Sequence, residues 1–91
     1  MAAVLMYCTA ACPYCQAAER LLHDKGVVDL TRVRVDLEPA RRAEMSAKSG
    51  RRTVPQIWIG EQHVGGYDDL YELERAGKLD HLLQSPVQRT S

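Results

Sequence analysis

The chain has 91 residues, room for one domain, and its 12 Lys and Arg balance 12 Asp and Glu to a formal charge of zero. That balance excludes the global field expected of a protein that binds nucleic acid or an anionic membrane surface. Three cysteines, an odd number, do not make the disulfide framework of a small secreted domain and favour a reducing cytoplasm.

The opening MAAVLMYC has no basic n-region, and its apolar run is too short for a signal peptide. No stretch approaches the roughly 18 apolar residues of a membrane-spanning helix. Residues 3–7, AVLMY, read as a buried strand. After the cysteines, CQAAERLLHDK (15–25) spaces Ala18, Leu21 and Leu22 for a helix, with Gly26 as its stop. LTRVRVDL (30–37) alternates, predicting a half-exposed strand with Thr31, Val33 and Val35 on one face and two arginines on the other. EPARRAEMSAKSG (38–50) predicts a second helix, entered through Pro39 and closed by Gly50.

PQIWIG (55–60) and QHVGG (62–66) predict short strands around a turn at Gly60-Glu61. DDLYELERAG (68–77) predicts a helix capped by its leading Asp, and Leu79, Leu82 and Leu83 suit a short last helix. The expected domain covers 1–84, and SPVQRTS (85–91) is a polar, frayed tail. The order βαβ then αββα implies parallel strands with a right-handed crossover and an antiparallel hairpin, a small mixed α/β sheet with helices on both faces.

All three cysteines lie in CTAACPYC (8–15), spaced Cys-x3-Cys-x2-Cys. A metal or iron–sulfur site needs about four ligands, so His23, His63, His81 or a second chain would have to complete it. A c-type haem motif needs His where Gln16 stands. The redox reading asks for less. Cys12 falls where a helix begins, and unpaired backbone N–H groups there stabilise a thiolate, the attacking species. Pro13 suits the first helical turn. Cys15, one turn on, faces back toward Cys12 and serves as the resolving thiol. Cys8 reads as a small buried apolar residue.

The motifs CPYC (12–15), TVPQIWI (53–59) and GGYDDL (65–70), in this order and spacing, make the chain resemble a glutaredoxin of the small bacterial dithiol class. The resemblance runs from about residue 3 to residue 83. It implies a thioredoxin fold with a four-stranded mixed sheet flanked by helices on both faces. Glutathione is the implied co-substrate, with no tightly bound cofactor and no metal. The implied partners are disulfide-containing or glutathionylated proteins, and the implied state is a monomer.

The resemblance also implies a cis peptide before Pro55. Val54, flanked by Thr53, then offers its backbone to the tripeptide as a short extra strand. Gly65 and Gly66 allow close approach ahead of a helix start, where the N–H groups of Asp68 and Asp69 would receive the γ-glutamyl carboxylate. The Asp69 carboxylate would hold the α-amino group. Arg42 matches a position that meets the glycine carboxylate, with Arg41, Arg51 and Arg52 close in sequence. Tyr14 would flank the bound tripeptide.

Trp58 is expected to pack against the sheet, and the three histidines have no partner legible in the sequence. Many family members carry Lys three residues before the first active-site cysteine, where Thr9 stands here. That loss of a cation disfavours the Cys12 thiolate and weakens glutathione binding unless Arg52 or Arg42 compensates. Two alternatives stay open on the residues: a redoxin served by thioredoxin reductase, and a dimeric iron–sulfur carrier using Cys12, which Pro13 disfavours.

Overall fold

A computed structural model describes residues 2–84; the tail expected over 85–91 lies outside them. The described elements run β1 (Val4–Cys8), α1 (Pro13–Asp24), β2 (Leu30–Arg34), α2 (Pro39–Ser49), β3 (Gln56–Ile59), β4 (Gln62–Gly65), α3 (Tyr67–Arg75) and α4 (Leu79–Gln84). They build one four-stranded sheet in the order β2-β1-β3-β4. β1 pairs in parallel with β2, while β1 with β3 and β3 with β4 are antiparallel. This is the thioredoxin fold.

Strand alternation divides the interior into two layers. Val4, Met6, Ile57 and Ile59 face Ala18 and Leu22 of α1, Leu70 of α3, and Leu79 and Leu83 of α4. Tyr7 and Trp58 point the other way and pack with Val35 and with Met45 of α2. Met45 is the one buried residue of α2, and burying such a side chain contributes about 1.5–3 kcal/mol. Trp58 packs edge-on to Tyr7 at 5.4 Å, and the Lys48 ammonium lies 4.8 Å from its ring centre. The Tyr7 hydroxyl, inside this layer, bonds Glu44 and accepts from Lys48 at 3.2 Å.

Some boundaries differ from the sequence expectation, each for a local reason. Helix α1 begins at Pro13, because Cys12 itself is the N-cap. Strand β2 ends at Arg34, where the guanidinium folds onto Asp36 through two bonds of 2.7 Å. On this edge strand Thr31 is exposed and Val33 half-buried, while Val35 beyond it is buried. Helix α3 starts at Tyr67 with Gly66 as N-cap, so Asp68 is not the cap. Helix α2 closes on Gly50 at φ +74°, as its sequence predicts. Among the described residues no helix is long and apolar enough to cross a membrane.

Candidate active site

The end of β1 and the start of α1 place the thiols. Cys12 is extended (φ −123°, ψ 104°), and its Sγ accepts the N–H of Cys15 at 3.1 Å. An N–H aimed at sulfur from a helix start is the arrangement that favours a thiolate. The Cys12 side chain also meets the Val54 carbonyl oxygen at 3.9 Å, across the gap between α1 and the loop before β3.

Cys15 is buried one turn along, and its thiol is pushed up to about 12, first by burial and next by its hydrogen bond with Cys12. A backbone hydrogen bond from Thr9 offsets this in part. Burial likewise raises Cys8 above the ordinary thiol range, against the pull of Arg32 and Arg34. All three cysteines are free. Among the described residues no three His, Cys, Asp or Glu side chains converge as a metal site.

Beside Cys12 opens a cleft of ≈ 280 Å³, lined by Tyr14, Arg51, Thr53, Val54, Pro55, Gly66, Tyr67, Asp68 and Asp69. The Val54–Pro55 peptide bond is cis. The opposite wall is the start of α3. Gly66 is extended there, its carbonyl accepts the Leu70 N–H at 3.0 Å, and the first N–H groups of the helix remain for an anion.

The Asp69 carboxylate reaches back over this turn. Its Oδ2 accepts the Gly66 N–H at 2.9 Å and meets Arg51 Nη1 at 2.9 Å. Arg51, and then the Gly66 N–H, hold this carboxyl below its ordinary pKa. Gly65 makes the clip sterically possible. It sits at φ +117°, and a Cβ there would lie 2.3 Å from Asp69 Oδ2. Gly66 is tight for a different reason, since its Cβ would approach the Pro55 carbonyl oxygen to 3.3 Å.

The structure thus brings together Tyr14, Thr53, Val54, Pro55, Gly66, Asp68 and Asp69, with Cys12 and Cys15 adjoining. Arg42 is not among the cleft-lining residues. It is exposed on α2 and donates to the Arg52 carbonyl at 3.2 Å. Arg52 is not among them either; the arginine that lines the cleft is Arg51, ion-paired to Asp69 at 2.9 Å.

Sequence reasoning also passed over Gln56 and His63. Gln56 is fully buried, donates Nε2 to the Thr53 carbonyl at 3.1 Å, and faces His63 Nε2 with its oxygen at 2.8 Å. Because the amide nitrogen serves Thr53, its oxygen must accept, and His63 Nε2 carries the proton. His63 also lies against Trp58, ring centres 4.5 Å apart, so it has partners that were not legible in the sequence. This chain of contacts steadies the Thr53–Val54 backbone. A His two residues before a paired glycine, across a hairpin from a strand Gln, was the available signal.

The glutaredoxin family profile matches residues 4–64. A Pseudomonas aeruginosa protein named glutaredoxin is 58% identical over 85 residues, covering 93% of this chain and all of that one. Escherichia coli glutaredoxin 3 is 50% identical over 84 residues, covering 92% of this chain and all of its own length. Among solved structures, a Brucella melitensis glutaredoxin superimposes with a TM-score of 0.80 at 50% identity, over 92% of this chain and 90% of that one. A buckwheat glutaredoxin–glutathione complex gives 0.83 at 30% identity, over 90% and 76%.

Proposed function

The chain belongs to the glutaredoxin family and is a thiol–disulfide oxidoreductase; on that premise we propose that glutathione is its reductant, Cys12 its attacking thiol and Cys15 its resolving thiol. The observation that carries the reading is the position of Cys12 Sγ. It accepts a helix-start N–H at 3.1 Å and lies 3.9 Å from the Val54 carbonyl, at the side of a cleft with an anion-binding turn across from it.

In the one-thiol route the Cys12 thiolate attacks the glutathione sulfur of a mixed disulfide. A Cys12–glutathione bond forms, the protein–glutathione bond breaks, and the released protein sulfur takes up a proton. A second glutathione thiolate attacks that bond, giving oxidised glutathione and restoring the Cys12 thiolate. In the two-thiol route Cys12 opens a protein disulfide, and Cys15 then attacks the Cys12 sulfur. The Cys15 proton passes to the departing protein thiolate, leaving a Cys12–Cys15 disulfide for two glutathiones to reduce. Holding Cys15 protonated until that moment suits it to the second role and not the first.

The tripeptide fits the cleft by chemistry. Its cysteine backbone pairs with Val54 between Thr53 and Pro55. Its γ-glutamyl carboxylate takes the N–H groups of Asp68 and Asp69 beside Gly66, and its α-amino group takes the Asp69 carboxylate. Tyr14 flanks it, and a guanidinium receives the glycine carboxylate. Arg42 carries that last role only by swinging off the Arg52 carbonyl. Arg51 supplies the cation that the cleft lacks at Thr9.

Single-cysteine variants test the assignment. Cys12→Ser should abolish reduction of both a glutathionylated protein and a protein disulfide. Cys15→Ser should keep the first activity and lose most of the second. Activity that survives in Cys12→Ser and disappears in Cys15→Ser would reverse the two roles.

A further inference from the structure

Three tyrosines form a continuous line away from the reacting thiol. Tyr14, at the start of α1, is 62% exposed, with its ring 6.3 Å from that of Tyr67 at the start of α3. Tyr67 stacks at 6.1 Å on Tyr71, one helical turn further on and 47% exposed. Tyr14 and Tyr67 line the cleft, whereas Tyr71 lies outside its lining. Two such ring-to-ring steps match about three to four residues of extended chain.

An acidic residue follows each tyrosine of α3: Asp68 after Tyr67 and Glu72 after Tyr71. Asp68 is exposed, and its carboxylate has no ion-pair or hydrogen-bond partner among the described residues. Glu72 is exposed and pairs with the exposed Arg75 at 3.2 Å. Arg51, the basic residue of the cleft lining, is ion-paired to Asp69 at 2.9 Å.

We propose that the Tyr14–Tyr67–Tyr71 line is the docking strip for the protein half of a disulfide substrate, and that it selects a segment with an arginine about three to four residues from the reacting cysteine. This rests on the glutathione reading, which places the tripeptide in the cleft beside Cys12 and leaves the exposed Tyr71, outside the cleft lining, to the protein segment. The protein chain then leaves past Tyr67 toward Tyr71. Exposed tyrosine faces attract a guanidinium by stacking and by cation–π interaction, and the unpaired Asp68 carboxylate adds charge complementarity. Lysine, compact and strongly hydrated, fits the strip less well.

The test uses the Cys15→Ser full-length chain and short synthetic peptides whose single cysteine is activated as a 2-thiopyridyl disulfide. The Cys12 thiolate attacks the peptide sulfur, a Cys12–peptide disulfide forms, and pyridine-2-thione leaves and is read by absorbance. The peptides carry Arg, Ala or Glu at the fourth position from cysteine, and a small uncharged thiopyridyl disulfide serves as reference. The Arg peptide should react about 2–5-fold faster than the Ala peptide, the size of one exposed cation–π contact, and the Glu peptide slowest. Raising salt should shrink the Arg–Glu gap.

Tyr71→Ala should reduce the preference and leave the small reference unchanged, and Tyr71→Phe, which keeps the ring, should restore it. Equal rates for the three peptides, or a preference untouched by Tyr71→Ala, would overturn the proposal. So would a concentration-dependent dimer that Tyr71→Ala dissolves, since a second copy would then own the strip. The peptide assay contains no glutathione, so failure of the glutathione reading shows separately, in turnover with glutathione.

Discussion

At the scale of single residues, the two active-site cysteines differ by surroundings and not by chemistry. Cys12 receives an N–H from the helix start, while Cys15 is enclosed and pushed up to about 12. Cys8 is raised as well, chiefly by burial. A folded thiol whose pKa is raised stays protonated past the ordinary value near 8.5. The two thiols that remain when Cys12 is removed should therefore both stay protonated near neutral pH. In Cys12→Ser, thiolate absorbance near 240 nm should stay flat from pH 4 to about 8, because only Cys8 and Cys15 remain. A titration step centred below pH 8 in that variant would contradict the burial of these two thiols. Much of this was legible beforehand, since Cys-Pro-Tyr-Cys between a strand and a helix fixes which sulfur caps the helix. The network from His63 through Gln56 to Thr53 was not. His63 lies across the hairpin from Gln56, and only the strand pairing brings them to 2.8 Å, while the Gln56–Thr53 bond of 3.1 Å is local.

At the scale of elements, the start of α3 is held by a charge clip and not by a side-chain cap. Asp69 bonds the Gly66 N–H and Arg51, and these contacts depress its pKa. A carboxyl depressed in the folded state stabilises fully above its unfolded pKa of about 3.9 and loses that contribution as pH falls through the folded value. Wild type should thus exceed Asp69→Asn in urea stability by a roughly constant margin from pH 5 to 8. The margin should be modest, about 1 kcal/mol or less for so exposed an ion pair, and should shrink below pH 4. A margin that widens toward acid would contradict the clip. The sequence showed two adjacent Asp residues and suggested the first as cap. What it could not show is that Gly66 takes the cap position and frees the second to reach backward, with Gly65 leaving space for it.

At the scale of the whole molecule, periodicity carried the architecture. Alternation in β1 and β3 sorted Met6 and Ile57 to one layer and Tyr7 and Trp58 to the other. The βαβ order fixed the parallel pair and the short hairpin fixed the antiparallel edge. The cleft was less legible because it belongs to no single element. It forms where the helix start of α1, the loop ahead of β3 and the helix start of α3 meet, and the arginine that reaches it, Arg51, comes from the loop after α2 rather than from the helix. Under the proposed reading, the same convergence receives a tripeptide bearing carboxylates at both ends. The most direct measurement is turnover of a small glutathione mixed disulfide in two parallel systems: glutathione with glutathione reductase and NADPH, and thioredoxin reductase with NADPH and no glutathione. Turnover in the first alone is the predicted result. Turnover in the second alone would leave the Cys12–Cys15 chemistry standing and contradict the assignment of Val54, Gly66, Asp68 and Asp69 to glutathione.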